Sequence, residues 1–157
     1  AFLAAMTVKA FESTIAKVVA LSSIMSIVTG MGGNAGTQTV SIIIRNIAMG
    51  KIKLKDTWKL LLKEFLLGLI NGAGIGLITG VVVYFIYGNF YLGLIIFLAM
   101  IGNLIIAGVT GLLIPLLLHK LHFDPALSSS IFLTTATDVL GFFFFLSLAK
   151  LFLPLLV

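Results

Sequence analysis

The sequence predicts an all-α integral membrane protein that forms a single domain over residues 1–157. Hydrophobic residues make up 61% of the chain, charged residues make up 10%, and the mean hydropathy is +1.26. A soluble core of this size cannot hide so much apolar surface. The apolar runs are continuous rather than alternating with a period of two, which excludes a membrane β-barrel. Because about 20 apolar residues cross a bilayer as a helix, the length allows four crossings and part of a fifth.

The amino-terminal third predicts two helices. Residues 1–10 are expected to form the last turns of a first helix whose beginning is missing, because the chain opens on apolar residues without an initiator Met or a signal peptide. A second helix is expected over residues 14–49, with a break near residues 30–36.

The expected break follows from glycine content. Residues 29–38 contain four glycines, and each glycine in a helix costs about 1 kcal/mol relative to alanine. Non-helical backbone at membrane depth persists where it is buried in protein or lines an aqueous cavity. Gly33, Asn34 and Ala35 are therefore candidate pore-lining residues, while a break that serves only packing is the alternative.

Three further helices are predicted over residues 57–87, 91–118 and 125–153. Asp56 is a candidate N-cap for the first of them, and Trp58 is an aromatic residue of the kind enriched at the membrane interface. Asp124 is a candidate N-cap for the last, with Pro125 in its first turn.

The basic residues predict the orientation of a multi-pass protein of the cell membrane. Seven of the ten lie on one predicted side, namely Arg45, Lys51, Lys53, Lys55, Lys59, Lys63 and Lys120. By the positive-inside rule this side, with the Lys51 to Lys63 connector, is cytoplasmic. Orientation explains the net charge of +5 without nucleic acid as a partner. Contact of the basic cluster with anionic lipid or an acidic cytoplasmic domain is a further possibility.

Two helices carry stripes of small or polar residues at four-residue spacing. The first stripe consists of Gly68, Gly72, Gly76 and Gly80, and a stripe of this kind lets helix backbones approach closely. The second consists of Asn103, Ala107, Gly111 and Pro115, in which the proline releases the carbonyl of Gly111. Plain helix packing is the expectation for the glycines; Asn103 is equally consistent with a packing kink and with pore lining.

Asp138 is the acid that lies deep within a long apolar stretch. A charge at the centre of a membrane helix costs roughly 2.5–3.5 kcal/mol on insertion scales, so such residues usually face a bundle interior, a partner or a watery pathway. Thr134 and Thr135 precede it and supply hydroxyl groups. A structural aspartate that is satisfied by a neighbouring helix is the alternative. The spacing of serine, histidine and acidic residues matches no catalytic arrangement, so no enzymatic activity is expected.

Two motifs resemble the signatures of the MgtE family of magnesium channels. The first is Met31-Gly-Gly-Asn-Ala-Gly-Thr-Gln38, and the second is Thr134-Thr-Ala-Thr-Asp-Val-Leu-Gly-Phe-Phe143. The resemblance implies a homodimer with five helices per subunit and a pore at or near the two-fold axis, in which Asp138 is the pore aspartate. Full-length bacterial members of that family carry cytoplasmic regulatory domains before the first helix; such domains are absent from this chain and are expected only as partners.

The expected function is the passage of hydrated Mg²⁺ into the cytoplasm, with Mg²⁺ as both the bound and the transported ion. Mg²⁺ gives up water reluctantly and is normally held through waters and one or two carboxylates. Two-fold symmetry would place two copies of Asp138 opposite each other. The alternatives are a Na⁺- or H⁺-coupled Mg²⁺ exchanger and a non-transporting membrane oligomerisation module.

Overall fold

A computed structural model describes residues 1–52 and 57–156, and within these ranges every regular element is a helix. The elements are α1 (Phe2–Ala10), α2 (Glu12–Lys17), α3 (Ala20–Ala48), α4 (Thr57–Tyr87), α5 (Phe90–Lys120), α6 (Pro125–Leu151) and α7 (Leu153–Leu156). Asp56, Lys53 and Lys55 lie outside the described residues.

Helices α4, α5 and α6 are long and apolar enough to cross a membrane. Their most apolar windows have mean hydropathies of 2.0, 2.5 and 1.8 respectively. These three candidate spans fit a membrane bundle. The five-helix count and the dimer that the sequence led us to expect stay predictions.

Side-chain caps fix where α5 and α6 begin. The Asn89 side chain accepts a hydrogen bond from the main-chain N–H of Leu92 at 3.1 Å. Asp124 accepts one from the N–H of Ala126 at 2.8 Å, and Pro125 occupies the first turn of α6, where its missing N–H needs no partner. Gly88, with φ of +65°, makes the tight turn between α4 and α5.

Helix α5 is the centre of the bundle. In its most apolar window 56% of the residues are buried, against 28% in α4 and in α6. Helices α3, α4 and α6 all pack against it. The main core cluster joins residues of α3, α5 and α6, including Ile24, Ile95, Met100 and Phe145. The exposed large apolar side chains of α4 and α6 suit contact with lipid.

The four glycines of the α4 stripe, Gly68, Gly72, Gly76 and Gly80, all lie against the backbone of α5. A Cβ atom on Gly72 would come within 2.6 Å of the Ile101 Cα, and one on Gly68 within 2.7 Å of the Ile105 Cα. On Gly76 and Gly80 the Cβ atom would lie 2.8 Å from a main-chain oxygen of α5. Because these contacts are with backbone rather than with flexible side chains, any larger residue would push the two helices apart.

Helix α3 runs without interruption from Ala20 to Ala48, so the expected break near residues 30–36 is absent. Gly32 and Gly36 are buried on its packed face. A Cβ atom on Gly32 would overlap the Asn103 side chain, and one on Gly36 would lie 2.8 Å from Leu133 Cδ1. The glycines thus permit close packing, and this packing outweighs their low helix propensity. The departure from helical backbone comes earlier, at Val18 with φ of −132° and ψ of 84°.

Candidate functional site

Asp138 lies midway along α6 (Pro125–Leu151) and is partly buried. Leu133, Thr137 and Gly141 occupy the adjoining face at four-residue spacing and are buried. Because that face packs against the bundle, the orientation of α6 about its own axis is fixed. Asp138 then lies at the edge of the packed face, where its side chain is partly exposed. Within residues 1–52 and 57–156 no group forms a hydrogen bond with its carboxylate. A carboxylate in this position has its oxygens available for a ligand or for water.

The threonines of α6 add hydroxyl oxygens beside Asp138. Thr134 donates its hydrogen to the carbonyl of Ser130 at 2.9 Å, and Thr135 donates to the carbonyl of Ile131 at 2.9 Å. Both hydroxyl oxygens therefore keep lone pairs that can accept hydrogen bonds from water. Thr134 is exposed and Thr135 is partly buried, whereas Thr137 is fully buried.

The candidate residues of α3 point in different directions. Asn34 is exposed on the surface of the protomer, and the position beside Gly33 is open, with nothing within 4 Å of where a Cβ atom would lie. Ala35 lines a different feature, a crevice between α3 and α4. The structure thus does not gather these three consecutive residues at one place.

Asn103 lies in the interior, between three helices, with no exposed surface. Its side-chain NH₂ donates a hydrogen bond to the main-chain carbonyl of Val28 in α3. Its side chain also abuts Gly32 of α3 and Gly141 of α6, where a Cβ atom would overlap it. In this conformation Asn103 contacts α3 and α6 from its place in α5 and so links the three helices. Gly111 and Pro115 are likewise buried in α5, and Gly111 allows close approach to Thr39 and to the carbonyl of Gly36.

We expect Asn103→Ala to destabilise the bundle by about 1–3 kcal/mol, because it removes a buried hydrogen bond and leaves a cavity. Thermal unfolding of the detergent-solubilised protein would show a lower midpoint. Asn71→Ala on exposed Asn71 is the matched control and should leave the midpoint near that of the parent. Equal midpoints for the two variants would contradict the packing role of Asn103.

Glu64 is a second acid held among packed helices, which the sequence analysis missed. It is partly buried in α4, and its Oε2 accepts a hydrogen bond from the Thr39 hydroxyl of α3 at 3.3 Å. It also lies next to Gly108 of α5. A signal was present in the sequence, since Glu64 precedes Gly68 by four residues and so extends the glycine stripe of α4 onto the same face.

Glu64 lines a crevice between α3 and α4 to which Asp138 does not contribute. No three His, Cys, Asp or Glu side chains come together in the part of the chain that the structure describes. A single carboxylate suits a cation that keeps most of its water shell, as Mg²⁺ does.

Comparison with known proteins points to one family. Residues 25–148 match the MgtE family, described as a divalent cation transporter. Proteins named magnesium transporter MgtE match 143 residues, or 91% of this chain, with identities of 37% in Enterococcus faecalis and 34% in both Bacillus subtilis and Thermus thermophilus. The match covers 32% of each of these proteins, so the chain spans about a third of the length of these relatives.

Proposed function

Because the chain belongs to the MgtE family of divalent cation transporters, we propose that it passes hydrated divalent cations, chiefly Mg²⁺, across the cell membrane towards the cytoplasm. The observation that carries the proposal is the position of Asp138. Its carboxylate sits at the middle of an apolar helix, partly exposed, without a hydrogen-bond partner among the described residues. A membrane-embedded acid of this kind marks an ion pathway by default.

Asp138 is proposed as the charge that attracts the cation, and a second copy of the chain would supply its counterpart. One carboxylate is a sparse site for a divalent ion, but a two-fold axis beside α6 places two carboxylates around one ion. Contact through water suits Mg²⁺, which dehydrates reluctantly. It also keeps binding weak enough for the ion to leave. The homodimer is therefore part of the proposal.

Polar groups that are accessible in the protomer would support the water shell of the ion. Thr134 and Asn34 are exposed, and Gly33 and Thr135 are partly so. The side-chain oxygens of Thr134, Asn34 and Thr135 can accept hydrogen bonds from water bound to the cation. The Gly33 carbonyl already accepts a hydrogen bond from the Thr37 hydroxyl at 2.7 Å, so Gly33 is proposed to contribute only the open space beside it. In this proposal Asn103 and Ala35 contribute indirectly, through the packing of α3.

Basic residues set the proposed orientation of the pathway. Lys51, Lys59 and Lys63 lie at or near the start of α4, the end that the positive-inside rule assigns to the cytoplasm. The relatives named magnesium transporters are about three times as long as this chain, to judge from the 32% coverage. Regulatory domains on the cytoplasmic side are accordingly proposed partners, together with the lipid bilayer.

A coupled exchanger is the second candidate, and Glu64 is the observation that favours it. Coupled transporters often use several ionisable groups in the membrane, and the structure holds Glu64 as well as Asp138 within helices. In this alternative Mg²⁺ moves only against a counter-flow of Na⁺ or H⁺.

Flux into liposomes separates the channel from the exchanger. We expect a Mg²⁺ gradient alone to drive uptake into liposomes that contain the protein, with the membrane potential clamped by a K⁺ ionophore. The uptake rate should change less than about twofold when a Na⁺ or pH gradient is added. Uptake that requires either gradient would refute the channel and support the exchanger. Protein-free liposomes and the Asp138→Asn variant are the controls.

A further inference from the structure

A polar crevice lies between α3 and α4, away from Asp138. Both helices pack against α5, which forms the floor of the crevice, and the volume of this open crevice is about 250 Å³. The lining mixes polar side chains with glycines and includes Gln38, Thr39, Glu64, Asn71, Gly68 and Gly108. Two other cavities, one between Tyr84 and Phe97 and one between Ile24 and Ile86, have mainly apolar linings. The crevice therefore combines a carboxylate with neutral oxygen donors.

One hydrogen bond orients the Glu64 carboxylate, and its oxygens can accept further hydrogen bonds. The Thr39 hydroxyl donates to one of its oxygens at 3.3 Å, which fixes the side chain across the crevice and leaves further lone pairs on both oxygens. Gly108 of α5 adjoins the carboxylate, because a Cβ atom there would lie in van der Waals contact with Glu64 Oε2, at 3.5 Å. Gln38 and Asn71 are exposed and also line the crevice, and each side chain carries an amide oxygen that can accept a hydrogen bond.

We propose that this crevice is a second cation site, distinct from Asp138, which binds a hydrated divalent cation through Glu64. Six water molecules occupy about 180 Å³ at roughly 30 Å³ each, so a hexahydrated ion fits the 250 Å³ available. Carboxylate, hydroxyl and amide oxygens are the groups that hold the water shell of a hard cation. The proposal concerns binding alone and stands whether or not the chain transports Mg²⁺.

The positive charge of Lys63 is expected to lower the affinity of this site for a cation. Its side chain also lines the crevice, but it is exposed, and its long apolar stem allows the ammonium group to extend to the membrane surface. The positive charge nearby offsets part of the attraction of Glu64 for a cation. We therefore expect a weak site that exchanges its ion readily.

Binding of Mn²⁺ tests the proposal independently of transport. The whole chain is placed in lipid nanodiscs, and bound Mn²⁺ is measured by electron paramagnetic resonance. All samples carry Asp138→Asn, which removes the acid midway along α6. Glu64→Gln should raise the Kd for Mn²⁺ at least about tenfold, as expected for loss of a group that holds a metal ion from its outer shell. Glu12→Gln, on an exposed acid of α2, should leave the Kd unchanged.

A second variant keeps the test decisive if Glu64→Gln does not fold. Asn71→Leu alters an exposed position and should raise the Kd severalfold, with circular dichroism and gel filtration as in the parent. Mg²⁺ should displace Mn²⁺, whereas an equal concentration of Na⁺ should not. The proposal is overturned if the folded variants bind Mn²⁺ as the background protein does, or if Na⁺ displaces Mn²⁺ as effectively as Mg²⁺.

Discussion

Asp138→Asn is expected to reduce Mg²⁺ uptake into liposomes by at least about tenfold. The substitution preserves shape and removes one negative charge per chain, and two in a dimer. Unit charges about 4 Å apart at an effective dielectric constant of about 20 attract each other by about 4 kcal/mol, and about 1.4 kcal/mol suffices for a tenfold effect. Because Asp138 has no hydrogen-bond partner among the described residues, the fold should tolerate the change.

The matched control is Asp124→Asn, at the amino-terminal end of the same helix. Asp124 is exposed and caps α6 by accepting a hydrogen bond from Ala126. Asparagine can accept the same bond, so uptake should stay within about twofold of the parent. If the Asp138→Asn variant takes up Mg²⁺ as fast as an active parent, Asp138 is not part of the ion pathway. A parent whose uptake matches protein-free liposomes would instead favour the non-transporting oligomerisation module.

Gly72→Leu is expected to destabilise the bundle by about 3 kcal/mol or more. The Cβ atom would lie 2.6 Å from the Ile101 Cα, and a backbone atom cannot move aside as the end of a side chain can. Helix α4 must therefore shift away from α5, and overpacking of this kind typically costs 1–3 kcal/mol, occasionally more. The measurement is the thermal unfolding midpoint in detergent, together with the monodisperse fraction in gel filtration.

Gly74→Leu is a matched control on the same helix. Gly74 is exposed, and nothing lies within 4 Å of where its Cβ atom would be. The change from glycine to leucine at this position should leave the midpoint unchanged or raise it, because leucine is the better helix former. Equal destabilisation by the two substitutions would show that α4 does not pack on α5 through its glycine face.

The sequence by itself determined the elements whose signals are local. Continuous apolar runs predicted residues 57–87, 91–118 and 125–153 as helices, and the structure has α4, α5 and α6 at Thr57–Tyr87, Phe90–Lys120 and Pro125–Leu151. The cap at Asp124 follows from residue type and position. The glycine spacing in α4 predicted a close helix contact, since four-residue spacing places Gly68, Gly72, Gly76 and Gly80 on one face.

Only the tertiary structure decided which polar residues are accessible. Asn34 and Asn103 are the same residue type in helical surroundings, yet Asn34 is exposed and Asn103 is fully buried. Glu64, close to the basic connector in sequence, is held against Thr39 of another helix. Lipid tails are as apolar as a leucine side chain, so hydrophobicity alone does not distinguish the face that meets protein from the face that meets lipid where no stripe of small residues marks the packed face.

The continuity of α3 was also decided by packing rather than by local preference. Each glycine in a helix costs about 1 kcal/mol, which predicted a break near residues 30–36. At Gly32 and Gly36 this cost is offset by close contact with Asn103 and Leu133. Helix propensity acts within a few residues, whereas these contacts join residues far apart in the sequence, and for that reason the three-dimensional structure was needed to find them.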